Sequence, residues 1–124
     1  MNKDFEASKP IYMQIAEQLY KKLVRKEIMP GDKLLSVREM AIQSGVNPNT
    51  IQRAYGEMER MGIVETRRGQ GTFVIEDDQI IDTLRGQFQS EILQTFVQSM
   101  RELGYTKKDM LTGLEQYLHE EEVE

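Results

Sequence analysis

Ser36-Val37-Arg38-Glu39-Met40-Ala41-Ile42-Gln43-Ser44-Gly45-Val46-Asn47-Pro48-Asn49-Thr50-Ile51-Gln52-Arg53-Ala54-Tyr55 decides how this chain folds. It spells two helix starts with one helix stop between them. Ser36 and Glu39 have the capping-box spacing: the hydroxyl accepts the N–H of the third helical residue, and the carboxylate reaches back to the cap N–H. Gly45 ends that short helix, as a residue free to take positive φ. Asn47 is a second cap, with Pro48 at the first helical position, where a missing N–H costs nothing. The second helix is expected to run to about Met61 and stop at Gly62, with Ile51, Ala54, Tyr55, Met58 and Met61 on its apolar face. Two helices joined by so tight a turn fit a helix-turn-helix and a plain helical hairpin equally well.

The residues on either side shift the balance. Downstream, Ile63-Val64-Glu65-Thr66-Arg67 and Thr72-Phe73-Val74-Ile75 read as strands, rich in β-branched and aromatic side chains. Arg68-Gly69-Gln70-Gly71 between them reads as a tight basic turn. A helix-turn-helix followed directly by such a hairpin is a winged helix, and Arg67 and Arg68 would ride on its wing. Upstream, Ile11, Ile15, Leu19 and Leu23 recur every four residues, the stripe of an amphipathic helix. Ser8 is expected to cap it with Pro10 in its first turn, and Lys21, Lys22, Arg25 and Lys26 cluster at its far end, where cations complement the helix dipole. Pro30-Gly31-Asp32 marks the turn beyond it.

Past the wing, Ile81, Leu84, Phe88, Ile92, Phe96, Met100 and Leu103 alternate steps of three and four, as in a coiled-coil seam. Gly104 stops that long helix. Thr106 to Asp109 caps a last one, which carries Met110, Leu111, Leu114, Tyr117 and Leu118. A two-helix hairpin of this size cannot enclose a ligand cavity of ordinary volume. Its apolar stripes either pack back on the winged part or pair with a second copy, and the aromatic positions favour pairing.

The expected fold is thus mostly α with a small β-hairpin. Residues 1–75 form a winged helix-turn-helix, and residues 76–124 form a C-terminal two-helix dimerisation hairpin. Leu84, Phe88, Ile92, Phe96, Met100, Leu114 and Leu118 are its dimerisation residues.

The formal net charge of the 124 residues is −5, which on its face disfavours a polyanionic partner. The distribution says otherwise. Residues 1–75 hold 12 Lys and Arg against 9 Asp and Glu, a balance of +3; residues 76–124 hold 4 against 12, a balance of −8. A polyanion is tolerated by the front and repelled by the back.

There is no cysteine, so disulfides and thiolate chemistry are excluded, and the one histidine, His119, sits near an acidic tail expected to fray from Glu120. No nucleophile–base pair, metal constellation or cofactor motif stands out. Gly69-Gln70-Gly71 lacks the glycine-lysine of a phosphate loop. An enzyme is not expected, and neither a cofactor nor a metal. No run of about 20 apolar residues is present to span a bilayer. The start, Met1-Asn2-Lys3-Asp4, is polar and unlike a signal peptide. A cytoplasmic location is the default expectation.

The assembled motifs resemble the GntR family of bacterial regulators, and its small YtrA-like branch in particular. The likeness runs from Ile11-Tyr12 to Val74. It is centred on Pro30-Gly31-Asp32-Lys33-Leu34-Leu35-Ser36-Val37-Arg38-Glu39 and continues through Gly45 to Tyr55, Gly62-Ile63-Val64 and Arg68 to Val74. The branch is suggested by the short helical tail, where larger members carry a sizeable effector domain.

The resemblance implies a transcriptional regulator, mostly a repressor, that binds double-stranded operator DNA as a homodimer. It implies that Arg38 contacts the operator, that Asn47, Asn49 and Thr50 make base and phosphate contacts, and that Gly69 and Gly71 bring the wing to the minor groove. Many relatives place arginine where this chain has Gln52, followed here by Arg53, so which of the two reaches a base edge stays open. Many also have Leu-Pro-Ser where Leu35 here directly precedes Ser36.

The chemistry agrees with those roles. A recognition helix enters the major groove by its N-terminal end, where asparagine and glutamine pair with adenine and arginine with guanine. Ser36, Thr50, Thr72 and the backbone N–H groups at both helix starts suit phosphates. The expected DNA-binding residues are Ser36, Arg38, Asn47, Asn49, Thr50, Gln52, Arg53, Arg67, Arg68, Gly69, Gly71 and Thr72.

Plainer roles stand beside these: Ser36 as a cap, Arg38 as a salt-bridge partner, Tyr55 in the core, and Arg67 and Arg68 as solubilising charges. A symmetric pair would read an inverted repeat. The alternative is a winged protein-interaction module that does not bind DNA. The sequence names no ligand, and the space between wing and tail is the place expected for a small-molecule effector.

Overall fold

The computed structural model describes Phe5 and residues 7–123. The frayed start expected over residues 1–6 therefore lies, Phe5 apart, outside the described residues. The element order is α1 (Ile11–Val24), α2 (Val37–Ser44), α3 (Pro48–Arg60), β1 (Val64–Arg67), β2 (Gly71–Val74), α4 (Asp78–Glu102) and α5 (Lys107–Val123). The chain divides into two compact units, Met1–Arg85 and Gly86–Glu124. The first two turns of α4 thus belong with the winged part.

Most helix ends fall where local chemistry puts them. Ser36 Oγ accepts from Glu39 N at 3.1 Å while Ser36 N donates to Glu39 Oε1 at 3.0 Å, closing the capping box. Gly45 takes the left-handed conformation at φ 69° and ends α2. Asn47 Oδ1 accepts from Asn49 N at 2.7 Å, with Pro48 opening α3. In the tail, Thr106 and Asp109 exchange the same pair of bonds, 2.9 and 3.2 Å long.

Ser8 does not cap α1. Pro10 occupies the cap with no side-chain hydrogen bond, and its carbonyl accepts from Met13 and Gln14 instead. Nor does the chain fray from Glu120, because α5 continues to Val123.

The core of the first unit is made by α1, α2, α3 and the hairpin. Ile15, Leu19 and Leu23 from α1 meet Met40 and Ala41 from α2 and Ile51, Ala54, Tyr55 and Met58 from α3, all buried. Ile63, Val64, Val74, Ile81 and Leu84 close it. Full burial of a side chain such as Ile51 contributes about 1.5–3 kcal/mol. Met61 is the exception on α3: it is 43% exposed, because the helix has already ended at Arg60 and its backbone serves as the cap.

β1 and β2 pair antiparallel, with Val64 opposite Val74 and Arg67 opposite Gly71. The segment just after the Pro30-Gly31 turn, expected only as a turn, adds to the other side of β2. Lys33 bridges Phe73, Gly31 N donates to Val74 O (2.9 Å), Leu34 N to Thr72 O (2.8 Å), and Val74 N to Asp32 O (2.8 Å). β2 is therefore flanked on both edges, which fixes the wing against the body of the domain.

The second unit has little core of its own. Gly104, at φ 85°, turns the chain between α4 and α5, and α5 has no buried side chain among the described residues. Ile92, Leu93, Leu103, Leu111, Leu114, Tyr117 and Leu118 are all exposed. Phe88, Phe96 and Met100 are half-buried. Leu84, grouped with them in the sequence stripe, is buried in the winged unit instead.

Candidate nucleic-acid interface

α3 presents two opposite faces. Its buried side is Ile51, Ala54, Tyr55 and Met58; at 100° per residue the opposite side is Asn49, Gln52, Arg53 and Gly56, all exposed. Tyr55 belongs to the first set. Its hydroxyl donates to Leu35 O at 2.7 Å, and burial together with the Glu39 charge pushes its pKa up to about 12. That bond ties α3 to the segment leading into α2. Thr50 lies between the faces and is half-buried.

The N-terminal turn of α3 is closed on itself. Pro48 has no N–H, Asn49 N is taken by the Asn47 side chain, and Thr50 N and Ile51 N both donate to Asn47 O. Asn49, Thr50 and Ile51 therefore have no free N–H to offer a phosphate, whereas Asn47 N has no partner among the described residues. Asn47 keeps its amide donor while its oxygen caps. At α2, Ser36 N and Glu39 N are occupied, but the Ser36 hydroxyl still has a proton to give.

The cations have distinct settings. Arg38 and Arg68 are exposed, and no carboxylate pairs with either among the described residues. Arg67 is half-buried and engaged: its Nε donates to Glu65 Oε2 at 2.9 Å, and its guanidinium lies 4.1 Å from the centroid of the Phe73 ring. It holds the wing's two strands together across the turn. Arg53 lies over another ring, 4.1 Å from the centroid of Tyr12 on α1.

The nearby carboxylates are already occupied: Glu39 on Ser36, Glu57 with Arg60, Glu59 on Thr66 and Glu65 with Arg67. Arg60 holds the Glu57 carboxyl below its ordinary pKa, and Ser36 does the same for Glu39. Arg38, Arg53 and Arg68 are left without a carboxylate partner among the described residues, beside polar side chains.

The wing glycines differ in what requires them. Gly69 sits at φ 74° with open space around it, so the turn alone demands glycine. Gly71 sits at φ 119°, and a Cβ there would come within 2.8 Å of Lys33 Cε. Thr72, next along β2, is half-buried, and its carbonyl is bound by Leu34.

Three residues outside the expected set shape this surface. Lys33 lies along the wing. Tyr12 carries Arg53. Glu59 accepts from Thr66 N and Oγ1 (3.3 and 3.2 Å), tying the end of α3 to β1. Their spacing in sequence gave no signal, since each acts across elements. His119 is exposed, and no metal-binding group of His, Asp and Glu occurs among the described residues.

A short helix, a left-handed glycine turn, a second helix with an open polar face and a β-hairpin joined to it together define a winged helix-turn-helix. The chain belongs to the family described as "Bacterial regulatory proteins, gntR family", which matches residues 11–74. It is 61% identical over 117 residues to the uncharacterized HTH-type transcriptional regulator YhcF of Bacillus subtilis (strain 168), covering 94% of this chain and 97% of that one. It is 55% identical over 75 residues to the HTH-type transcriptional repressor YtrA of the same organism, 60% of this chain and 57% of that one.

Among solved structures, a GntR family transcriptional regulator from Listeria monocytogenes superposes with a TM-score of 0.86 at 39% identity, over 90% of this chain and 98% of that one. The DNA-binding domain of AraR, solved in complex with operator ORX1, matches 53% of this chain and 80% of its own at 32% identity, with a TM-score of 0.51. The protein is a DNA-binding transcriptional regulator of this family and not an enzyme; nothing in these relatives favours a winged module that ignores DNA.

Proposed function

We propose that the protein is a homodimeric repressor that reads an inverted-repeat operator. Each copy places the outward face of α3 in a major groove and its wing, with Arg68, Gly69 and Gly71, against the neighbouring minor groove. Asn49, Thr50 and Gln52 face bases. Ser36, Arg38, Asn47 and Thr72 face the backbone, and Arg67 stiffens the wing.

The observation that carries the dimer is the tail. Ile92 is 67% exposed, Leu103 72% and Tyr117 64%, in a unit whose last helix buries no side chain among the described residues. Most helical stability in proteins comes from packing of an apolar face, so a twin supplies the missing contacts for Phe88, Ile92, Phe96, Met100, Leu114 and Leu118. Two half-sites held by symmetry multiply the affinity of each. The site of action is the cytoplasm, with the chromosome; no helix among the described residues is long and apolar enough to cross a membrane.

The full chain carrying Ile92→Glu and Leu114→Glu tests this by sedimentation and by titration of a duplex that the wild type selects from a random pool. The wild type should sediment as a dimer. The variant should be monomeric and bind about 100-fold more weakly. A variant that stays dimeric and binds undiminished rejects the reading.

A further inference from the structure

We infer that Tyr12 is a positioning residue that turns Arg53 sideways onto the DNA backbone, leaving Gln52 as the side chain that reads a base. The inference rests on the groove reading of α3 given above and divides labour between two adjacent residues on its outward face.

The argument starts from where the Arg53 guanidinium lies. Its Cζ is 4.1 Å from the centroid of the Tyr12 ring, a distance at which a cation is attracted to the ring face. Tyr12 is on α1, at its second residue, and is half-buried, so part of the ring packs on the protein while the rest is open to Arg53. An arginine that reads guanine must extend from the groove-facing side of its helix and present its donor fork to the base edge. Arg53 instead spans sideways to a neighbouring helix.

Glu57, one turn further from the N-terminal end, is lowered in pKa chiefly by its bond to Arg60 and, to a smaller degree, by the Arg53 charge, which agrees with a guanidinium drawn away from the helix tip. The ring takes no hydrogen bond from the guanidinium, and no other bond to its N–H groups occurs among the described residues, so they remain available to donate. A donor fork held at the flank of a groove-bound helix meets the phosphate strand that walls the groove.

Gln52 has no such anchor. It is exposed on the same outward face, and no hydrogen bond or ion pair holds its side chain among the described residues. Its amide presents both a donor and an acceptor, the pairing that suits adenine. The cation therefore supplies sequence-independent affinity, and the neutral amide supplies discrimination.

The test uses the full chain, a duplex that the wild type selects from a random pool, and an unrelated duplex of equal length, each titrated across salt concentrations. Arg53→Ala should weaken binding to both duplexes by a similar factor and lower the salt slope by about one per half-site, with their affinity ratio unchanged. Tyr12→Leu should give about a 3- to 10-fold loss, since the unstacked arginine must then be ordered on binding. It should add nothing once Arg53 is alanine. Tyr12→Phe, which keeps the ring face, should restore most of the affinity. Gln52→Ala should instead collapse the ratio between the two duplexes.

The inference is overturned if Arg53→Ala collapses that ratio, or if Tyr12→Leu binds as well as or better than the wild type. Should Tyr12→Leu not fold, Arg53→Lys carries the same question: losing the planar fork should cost affinity on both duplexes equally. If Asn49→Ala, Gln52→Ala and Arg53→Ala all leave both duplexes unaffected, the groove reading of α3 itself fails, a result distinct from the others.

Discussion

α3 and α5 are both amphipathic, both open on an asparagine or threonine cap, and both end a helix–turn–helix segment, yet they meet opposite fates. The apolar face of α3 is sealed within its own chain, with Ile51, Ala54 and Met58 wholly buried. On α5, Leu111, Leu114, Tyr117 and Leu118 all stay in solvent. The same periodic pattern therefore specifies a helix in both places and a core in only one. What differs is whether other elements of the chain arrive to cover it. α1, α2 and the hairpin do so for α3, and nothing within the second unit does so for α5.

The contrast can be broken most directly by deleting side-chain volume from each face. Ile51→Ala should destabilise the winged unit by about 2–5 kcal/mol, read from denaturant unfolding. Leu118→Ala should leave that transition in place and act instead on the association step, visible as a change in its concentration dependence. If Leu118→Ala lowered the stability of the winged unit as much as Ile51→Ala, the division between the two faces would be wrong.

Alkaline pH sharpens the same comparison. Tyr20 and Tyr55, buried in the first unit, have pKa values pushed up to about 12 from an ordinary 10.0 by desolvation, helped by the charges of Glu57 and Glu39 respectively. A raised pKa means that the folded state keeps its proton while the unfolded state gives it up. The contribution is full below pH 10 and is lost as pH climbs from 10 toward 12. Melting curves of the winged unit should fall steeply over that window, and Tyr55→Phe should flatten part of the fall. A slope of equal size in Tyr55→Phe would assign it elsewhere.

The caps give a smaller effect. Ser36→Ala should cost about 1 kcal/mol, with Thr106→Ala costing less on the same transition because its helix joins no core. The Glu39 and Asp109 carboxyls, each held below its ordinary pKa by backbone and hydroxyl donors at its cap, lose their contribution as pH falls through their lowered folded values. Melting temperature measured from pH 6 downward should therefore decline below the ordinary carboxylate range, and Glu39→Gln should lessen that decline.

The ends of the helices could be read from the chain because the groups that set them are neighbours in sequence. A hydroxyl at Ser36 and a carboxylate at Glu39 meet whatever the rest of the protein does. So do the Asn47 side chain and the Asn49 N–H, and the left-handed turn at Gly45 needs only glycine. The outward and inward faces of α3 follow from the helical period alone, and with them the exposure of Asn49, Gln52 and Arg53. Where local chemistry was weak the reading slipped. Ser8 has no third-residue partner to cap, and the acidic end beyond Glu120 holds its helix.

Tertiary structure decided the contacts between residues far apart in the chain. Lys33 joins β2 at Phe73 and crowds Gly71. Arg53 settles on Tyr12, Glu59 ties α3 to Thr66, and Leu84 is taken from the tail's stripe into the first core. No spacing announces these, because each depends on how two separate elements are brought together, and that is settled by collective burial of apolar surface rather than by any hydrogen bond between sequence neighbours.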